Sequence, residues 1–146
     1  FLPVSAELTQ LGRIESVSNT PFDLQNPVRI GDRLRSTHEQ IQLIGGFDHT
    51  FVLTGRGLRQ AAHVVDPYSG RSLTVRTDQP GMQLYTTNTL QAPGKEGIVY
   101  QPHQGLCLET QQFPDAPNQT SYPDPILRPG EIYTATTEFI FGCTNE

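Results

Sequence analysis

Glycine and proline interrupt this chain so often that no long helix fits between them. Thirteen glycines and twelve prolines fall among 146 residues, well above the usual share of about 12% for the two together. Proline removes a backbone donor and stops a helix, and glycine weakens any regular element it enters. Between the breaks, short segments alternate apolar and polar residues, the period of a half-buried strand. Residues 11–17, 50–53, 58–65, 71–78, 82–86, 97–100, 105–110 and 132–141 read this way. The run Asp66-Pro67-Tyr68-Ser69-Gly70 is a strong turn signal and closes a hairpin over 58–78. Within the polar stretch 26–42, residues 30–34 are the only plausible place for a short helix. The opening Phe1-Leu2-Pro3-Val4 reads as the edge of a strand already under way, as if cut from something longer. Seven or eight short antiparallel strands predict an all-β fold, an antiparallel β-sandwich. The length fits one domain or part of a larger one.

Composition removes several function classes. The formal charge is −5, with one lysine, Lys95, and scattered arginines, which argues against a nucleic-acid surface. No apolar run approaches a membrane span, and no signal peptide is visible, so a cytoplasmic protein without membrane association is expected. Cys107 and Cys143 form neither a disulfide scaffold nor a metal-ligand spacing, and read as buried thiols in a reducing compartment. The sequon Asn118-Gln119-Thr120 is then a chance match. His38, His63 and His103 show no ligand spacing and read as structural or solvent-exposed. No phosphate loop or nucleophile elbow occurs, and no metal or cofactor is expected.

Three polar residues stand out within the strand pattern. Glu109 alternates with Leu106 and Leu108, which places it with Cys107 and Gln111 on the opposite face. A carboxylate beside apolar neighbours would be partly desolvated, which suits a general base. A solvent-facing Glu at a strand end is the other reading. Gln83 and Tyr85 oppose Met82 and Leu84. An amide gives both donor and acceptor for vicinal hydroxyls, and a ring can stack on sugar C–H groups. A polar outer face would look the same. Asp48 and His49 follow Gly45-Gly46-Phe47. There the Asp could accept from sugar hydroxyls, or cap a turn beside a structural His.

Taken together, these segments resemble the aldose 1-epimerase (galactose mutarotase) family. The resemblance rests on Gly46-Phe47-Asp48-His49-Thr50-Phe51-Val52-Leu53, on Thr77 to Thr86 around Gln83-Leu84-Tyr85, and on Gly105-Leu106-Cys107-Leu108-Glu109-Thr110-Gln111 with Pro114-Asp115-Ala116-Pro117-Asn118. The ending Leu127-Arg128-Pro129-Gly130-Glu131-Ile132-Tyr133 adds to it, as do Leu2-Pro3-Val4 and Thr20-Pro21-Phe22-Asp23 near the start. It covers essentially the whole chain. It implies a β-supersandwich with an open monosaccharide cleft, Glu109 as general base, and Asp48 and Gln83 as ligands of sugar hydroxyls. Thr87 stands where many members have Gly, a departure that bears on the following turn.

The family's general acid is a His in an Asn-His-Ser/Thr-Tyr-like motif that does not occur here, and none of the four His matches it. The resemblance therefore places the chain as the C-terminal part of a single epimerase domain, with the N-terminal part absent. The partner implied is an aldohexose such as galactose or glucose, interconverted between anomers by acid/base ring opening and closure without a cofactor. Other partners implied are the missing half or further copies of the chain. A non-catalytic carbohydrate-binding β-sandwich is the competing reading. A relative acting on phosphorylated sugars would need a basic cluster near Asp48 or Gln83, and none is encoded there.

Overall fold

The computed structural model describes residues 1–143. In chain order the strands are β1 (Asp48–Val52), β2 (Arg59–Val65), β3 (Arg71–Thr77), β4 (Gly81–Tyr85), β5 (Ala92–Pro93), β6 (Val99–Tyr100), β7 (Cys107–Gln111) and β8 (Thr137–Cys143). Two short helices, α1 (Ile30–Leu34) and α2 (Glu39–Ile44), precede them. The strands form sheets in the orders β1–β4–β7, β2–β3–β8 and β5–β6. An all-β chain of short strands is what the sequence predicts. Two compact units are present, Phe1–Val52 with Gln83–Glu109, and Leu53–Met82 with the residues from Thr110 onward.

The first unit holds most of the β1–β4–β7 sheet. Its core is Phe1, Phe22, Ile41, Phe47 and Leu84, with Val17, Leu24, Ile30, Leu34, Phe51 and Leu108 packed against it. Phe22 is the hub. It stacks on Phe1 at 3.9 Å and meets Phe47 and His49 edge-on at 5.5 and 4.7 Å. Edge-to-face contacts of this kind add to simple area burial. Ile30 and Leu34 lie four residues apart, so α1 lays both on the same side, toward this core.

α2 is an element the sequence reading misses. Six residues are too few to be helical on propensity alone, and tertiary contacts hold it. His38 Nδ1 accepts from the Gln40 N–H at its start, and Gly45 ends it in the left-handed conformation, φ 69°. From α2 the Gln40 side chain reaches the N-terminal segment. Its Oε1 accepts from the Val4 N–H at 2.8 Å and its Nε2 donates to the Val4 carbonyl at 3.0 Å. The amide thus acts as a strand partner for one residue. Gln40 Oε1 also lies 3.1 Å from His49 Nε2, which must donate, and His49 Nδ1 is left to accept the Asp48 N–H at 3.1 Å. The neutral Nε2–H tautomer satisfies every group in this chain of contacts.

The turn into β1 is fixed from β4. Thr86 Oγ1 accepts from the Phe47 N–H at 3.0 Å and donates to Asn88 Oδ1 at 2.6 Å, while Asn88 Nδ2 donates to the Phe47 carbonyl at 3.0 Å. Gly46 has φ 154°, and a Cβ there would lie 2.3 Å from Asn88 Oδ1. Only glycine fits under this clamp.

In the second unit β3 is central. It pairs antiparallel with β2 from Arg59↔Thr77 to Val65↔Ser72, with an irregularity between Gln60 and Ala62, and with β8 from Arg71↔Cys143 to Thr77↔Thr137. The Arg59 guanidinium donates to the carbonyls of Leu53, Thr54, Gly57, Thr77 and Gln79, tying the β1–β2 connection to the end of β3. Phe113 and Tyr122 pack edge-to-face at 5.2 Å.

Three expectations need correction. Residues 11–17 form no strand, because Gly12 at φ 71° leaves extended geometry and Leu11 and Ile14 stay exposed. The last strand begins at Thr137 rather than at 132, because β3 ends opposite it at Thr77. The cysteines are free but not buried: Cys107 is half-buried and Cys143 exposed.

His49 is fully buried. Burial, and then the nearby His38 charge, hold its pKa down at about 3. An unfolded His takes a proton near pH 6.5, so below that pH the unfolded state binds a proton the folded state refuses. Stability from this group is complete above pH 6.5 and falls as pH drops toward 3. Between pH 7 and 5 the loss should be about 2 kcal/mol. Urea titrations of wild type and His49→Phe at both pH values measure it. The variant, though less stable throughout, should lack this increment, and an equal pH dependence in both would contradict the buried neutral imidazole.

Candidate functional site

Strand alternation sorts β1 into two faces. Phe47, His49 and Phe51 turn to the aromatic core, which leaves Asp48 and Thr50 on the other side. On β4, Leu84 is in the core and Gln83 takes the opposite face. On β7, Leu108 packs on the core and Glu109 alternates away from it. Three adjacent strands therefore place Asp48, Gln83 and Glu109 on the sheet face that turns away from the core.

Asp48 and Gln83 are brought into direct contact. Gln83 Nε2 donates to Asp48 Oδ1 at 2.7 Å, and Gln83 Oε1 accepts from the Thr50 hydroxyl at 2.5 Å. A carboxylate only accepts, so the Asp48 contact fixes the amide orientation, and Thr50 satisfies its other end. The pair still offers a second carboxylate oxygen as acceptor and a second amide N–H as donor. That is the complement of two neighbouring hydroxyls. Thr50 is the group the sequence reading misses. Its position two residues after Asp48, on the same strand face, was the available signal.

Glu109 differs from both. It is exposed, not partly desolvated as its apolar neighbours implied, because β7 is an edge strand of its sheet and Leu106 just before it is itself 39% exposed. Its carboxylate accepts no hydrogen bond and joins no ion pair among the described residues. Its lone pairs are unoccupied among the described residues.

The histidines have other work. His38 caps α2, His49 is buried with both ring nitrogens engaged, and His63 Nδ1 pairs with the Thr74 hydroxyl at 2.8 Å on the exposed side of the β2–β3 pair. His103 Nδ1 lies 3.0 Å from the Thr86 carbonyl and must donate to it. Among the described residues, no group of three or more His, Cys, Asp or Glu could hold a metal ion, and no helix is long and apolar enough to cross a membrane. A groove of about 340 Å³ lies beside α1, lined by Ile30, Leu34, Thr86, His103 and Leu106 among others. None of Asp48, Gln83 and Glu109 lines it, so it is not the site they form.

Thr87, the departure from the usual Gly, has φ 48°. A β-branched residue is strained in the left-handed region. Its hydroxyl donates to the Gly105 carbonyl at 3.0 Å, which offsets that strain and leaves the turn intact.

Known proteins bear on this arrangement. The sequence profile of the aldose 1-epimerase family matches residues 1–139. Galactose mutarotase of Bos taurus is 47% identical over 144 residues, covering 97% of this chain and 41% of the relative. Aldose 1-epimerase of Escherichia coli is 35% identical over 146 residues, covering 97% of this chain and 42% of the relative. The crystal structure of a GalM/aldose epimerase homologue from C. elegans superposes with a TM-score of 0.88 at 28% identity, over 99% of this chain and 43% of the other. The chain thus spans about two-fifths of the length of the curated relatives it matches. With a profile match over nearly its whole length, the chain belongs to the aldose 1-epimerase family.

Proposed function

We propose that residues 1–146 are part of a single aldose 1-epimerase domain and supply its general base and two of its hydroxyl ligands. The observation that carries this reading is one sheet face. It presents Glu109, a carboxylate without a partner among the described residues, on a strand neighbouring the one that bears Gln83, itself hydrogen-bonded to Asp48. The substrate class is an aldohexose. Asp48 and Gln83 hold ring hydroxyls, and Glu109 takes the proton from the anomeric C1 hydroxyl. As that C–O bond becomes a carbonyl, the C1–ring oxygen bond breaks and the ring oxygen gains a proton from an acid. Rotation about C1–C2 and reclosure deliver the other anomer. Only protons move, so positioned acids and bases suffice. All four His are engaged elsewhere, which supports an acid from the remainder of the family fold. Two free thiols, one exposed, fit a reducing, cytoplasmic compartment.

Glu109→Gln keeps shape and removes the basic oxygen. In the complete protein, polarimetry on fresh α-galactose should show a loss of at least about 10²-fold, with sugar binding largely retained. Residues 1–146 alone should show little or no turnover. A near-normal rate in Glu109→Gln would remove this residue from the mechanism. Retained binding without turnover in the complete wild-type protein would favour a carbohydrate-binding role instead.

Asp48→Ala and Gln83→Ala should each weaken sugar binding by roughly 1–3 kcal/mol in calorimetric titrations, because each leaves a partner unpaired. As the two side chains touch, the double variant should lose less than the sum. Unchanged affinity in both single variants would assign the pair a purely structural role.

The β8 strand forms one edge of its sheet and exposes Phe139, Ile140 and Phe141. Exposed apolar edges template association. We therefore also propose that residues 1–146 on their own self-associate, and that the remainder of the family fold relieves this. Light scattering checks it. A monodisperse monomer at high concentration would sink the idea.

A further inference from the structure

Glu109 has no side-chain partner among the described residues, so the backbone of β7 is what aims it. What fixes the entry to β7 is a clasp on the end of β4. His103 Nδ1 donates to the Thr86 carbonyl at 3.0 Å, the His103 N–H to the Thr87 carbonyl at 3.3 Å, and the Thr87 hydroxyl to the Gly105 carbonyl at 3.0 Å. The two residues that make the clasp both sit at positive φ, 64° at His103 and 48° at Thr87. Non-glycine residues stay in that region only where surrounding contacts over-determine them. Thr86 also holds the Phe47 backbone beside Asp48. One segment, Thr86-Thr87, therefore ties the strand of Asp48, the strand of Gln83 and the loop leading to Glu109.

We propose that His103 is a positioning residue, which locks β7 onto β4 and so sets Glu109 in register with Gln83 and Asp48. This rests on the base role proposed for Glu109. The group in contact is a carbonyl, so Nδ1 carries the proton whether the imidazole is neutral or charged. The clasp therefore keeps the Nδ1 proton in place. That separates it from a proton donor, whose function would vanish with its proton.

The test compares His103→Ala with His103→Asn in the complete protein. Asn tolerates positive φ and retains an N–H donor. Amide hydrogen exchange of Cys107 to Gln111 should quicken by about 10-fold or more in His103→Ala and stay near wild type in His103→Asn. In mutarotation, His103→Ala should lower kcat about 5–20-fold with KM within about twofold, and His103→Asn should recover to within about threefold. The pH–rate limbs should be the same in all three proteins. Unchanged exchange in His103→Ala, or quickened exchange with unchanged kcat, would overturn the proposal. So would a loss of about 10²-fold with a missing pH limb in His103→Asn, which would make His103 the acid. A complete wild-type protein with no mutarotase activity would defeat the functional reading separately, and the exchange data would still decide whether His103 holds β7.

Discussion

A neutral imidazole behind β1 sets the geometry on which the candidate site depends. His49 faces the aromatic cluster, donates to Gln40 and accepts from the Asp48 backbone. Because strand side chains alternate, fixing His49 inward fixes Asp48 outward. A slip of one residue would bury the carboxylate and expose the ring. The Gln40 amide, occupied at both ends by Val4, allows the ring only one tautomer. Protonating Nδ1 would set two donors against each other. So the network that orients the candidate face is also its acid-sensitive part.

The same logic runs along β4, the central strand of that sheet. Leu84 belongs to the core, Gln83 to the polar face, and Thr86 just past the strand clamps the neighbouring backbone. Three consecutive functions sit within four residues, each on the side its position dictates. Packing and recognition are not separable here. Removing Thr86 would loosen Phe47 in the core and Asp48 beside it together.

How much of this the sequence revealed follows from which interactions are local. Strands such as 58–65, 71–78 and 82–86 were legible because alternation and turn residues are local signals, and the structure places them within a residue or two. The facing of Gln83 against Leu84 and of Glu109 against Leu108 was legible for the same reason. α2 was not, because its stability comes from Gln40 and Ile41 meeting residues far away in sequence. Nor was the loss of the strand at 11–17, where the alternation is present but no neighbour pairs with it. The Thr50–Gln83–Asp48 contact spans more than thirty residues and two strands. Pattern could nominate its members but not join them. For Glu109 the pattern left burial and a solvent-facing strand end both open, and the exposed reading holds because β7 lies at a sheet edge.

Two carboxylates share the candidate face, and their partners support different proposed roles for them. Asp48 already accepts from Gln83 with one oxygen, so its geometry is fixed and part of its accepting capacity is spent. A group held that way suits the proposed role of hydroxyl ligand. Glu109 has no partner among the described residues, and both its oxygens are open to them. A base must also move little between taking a proton and returning it. With no side-chain tether of its own, that rigidity has to come from the strand. In the proposed arrangement, the contacts of His103 and Thr87 at the entry to β7 supply it without occupying the carboxylate. Immobilising the backbone while leaving the side chain unpartnered gives a general base both a fixed position and free lone pairs.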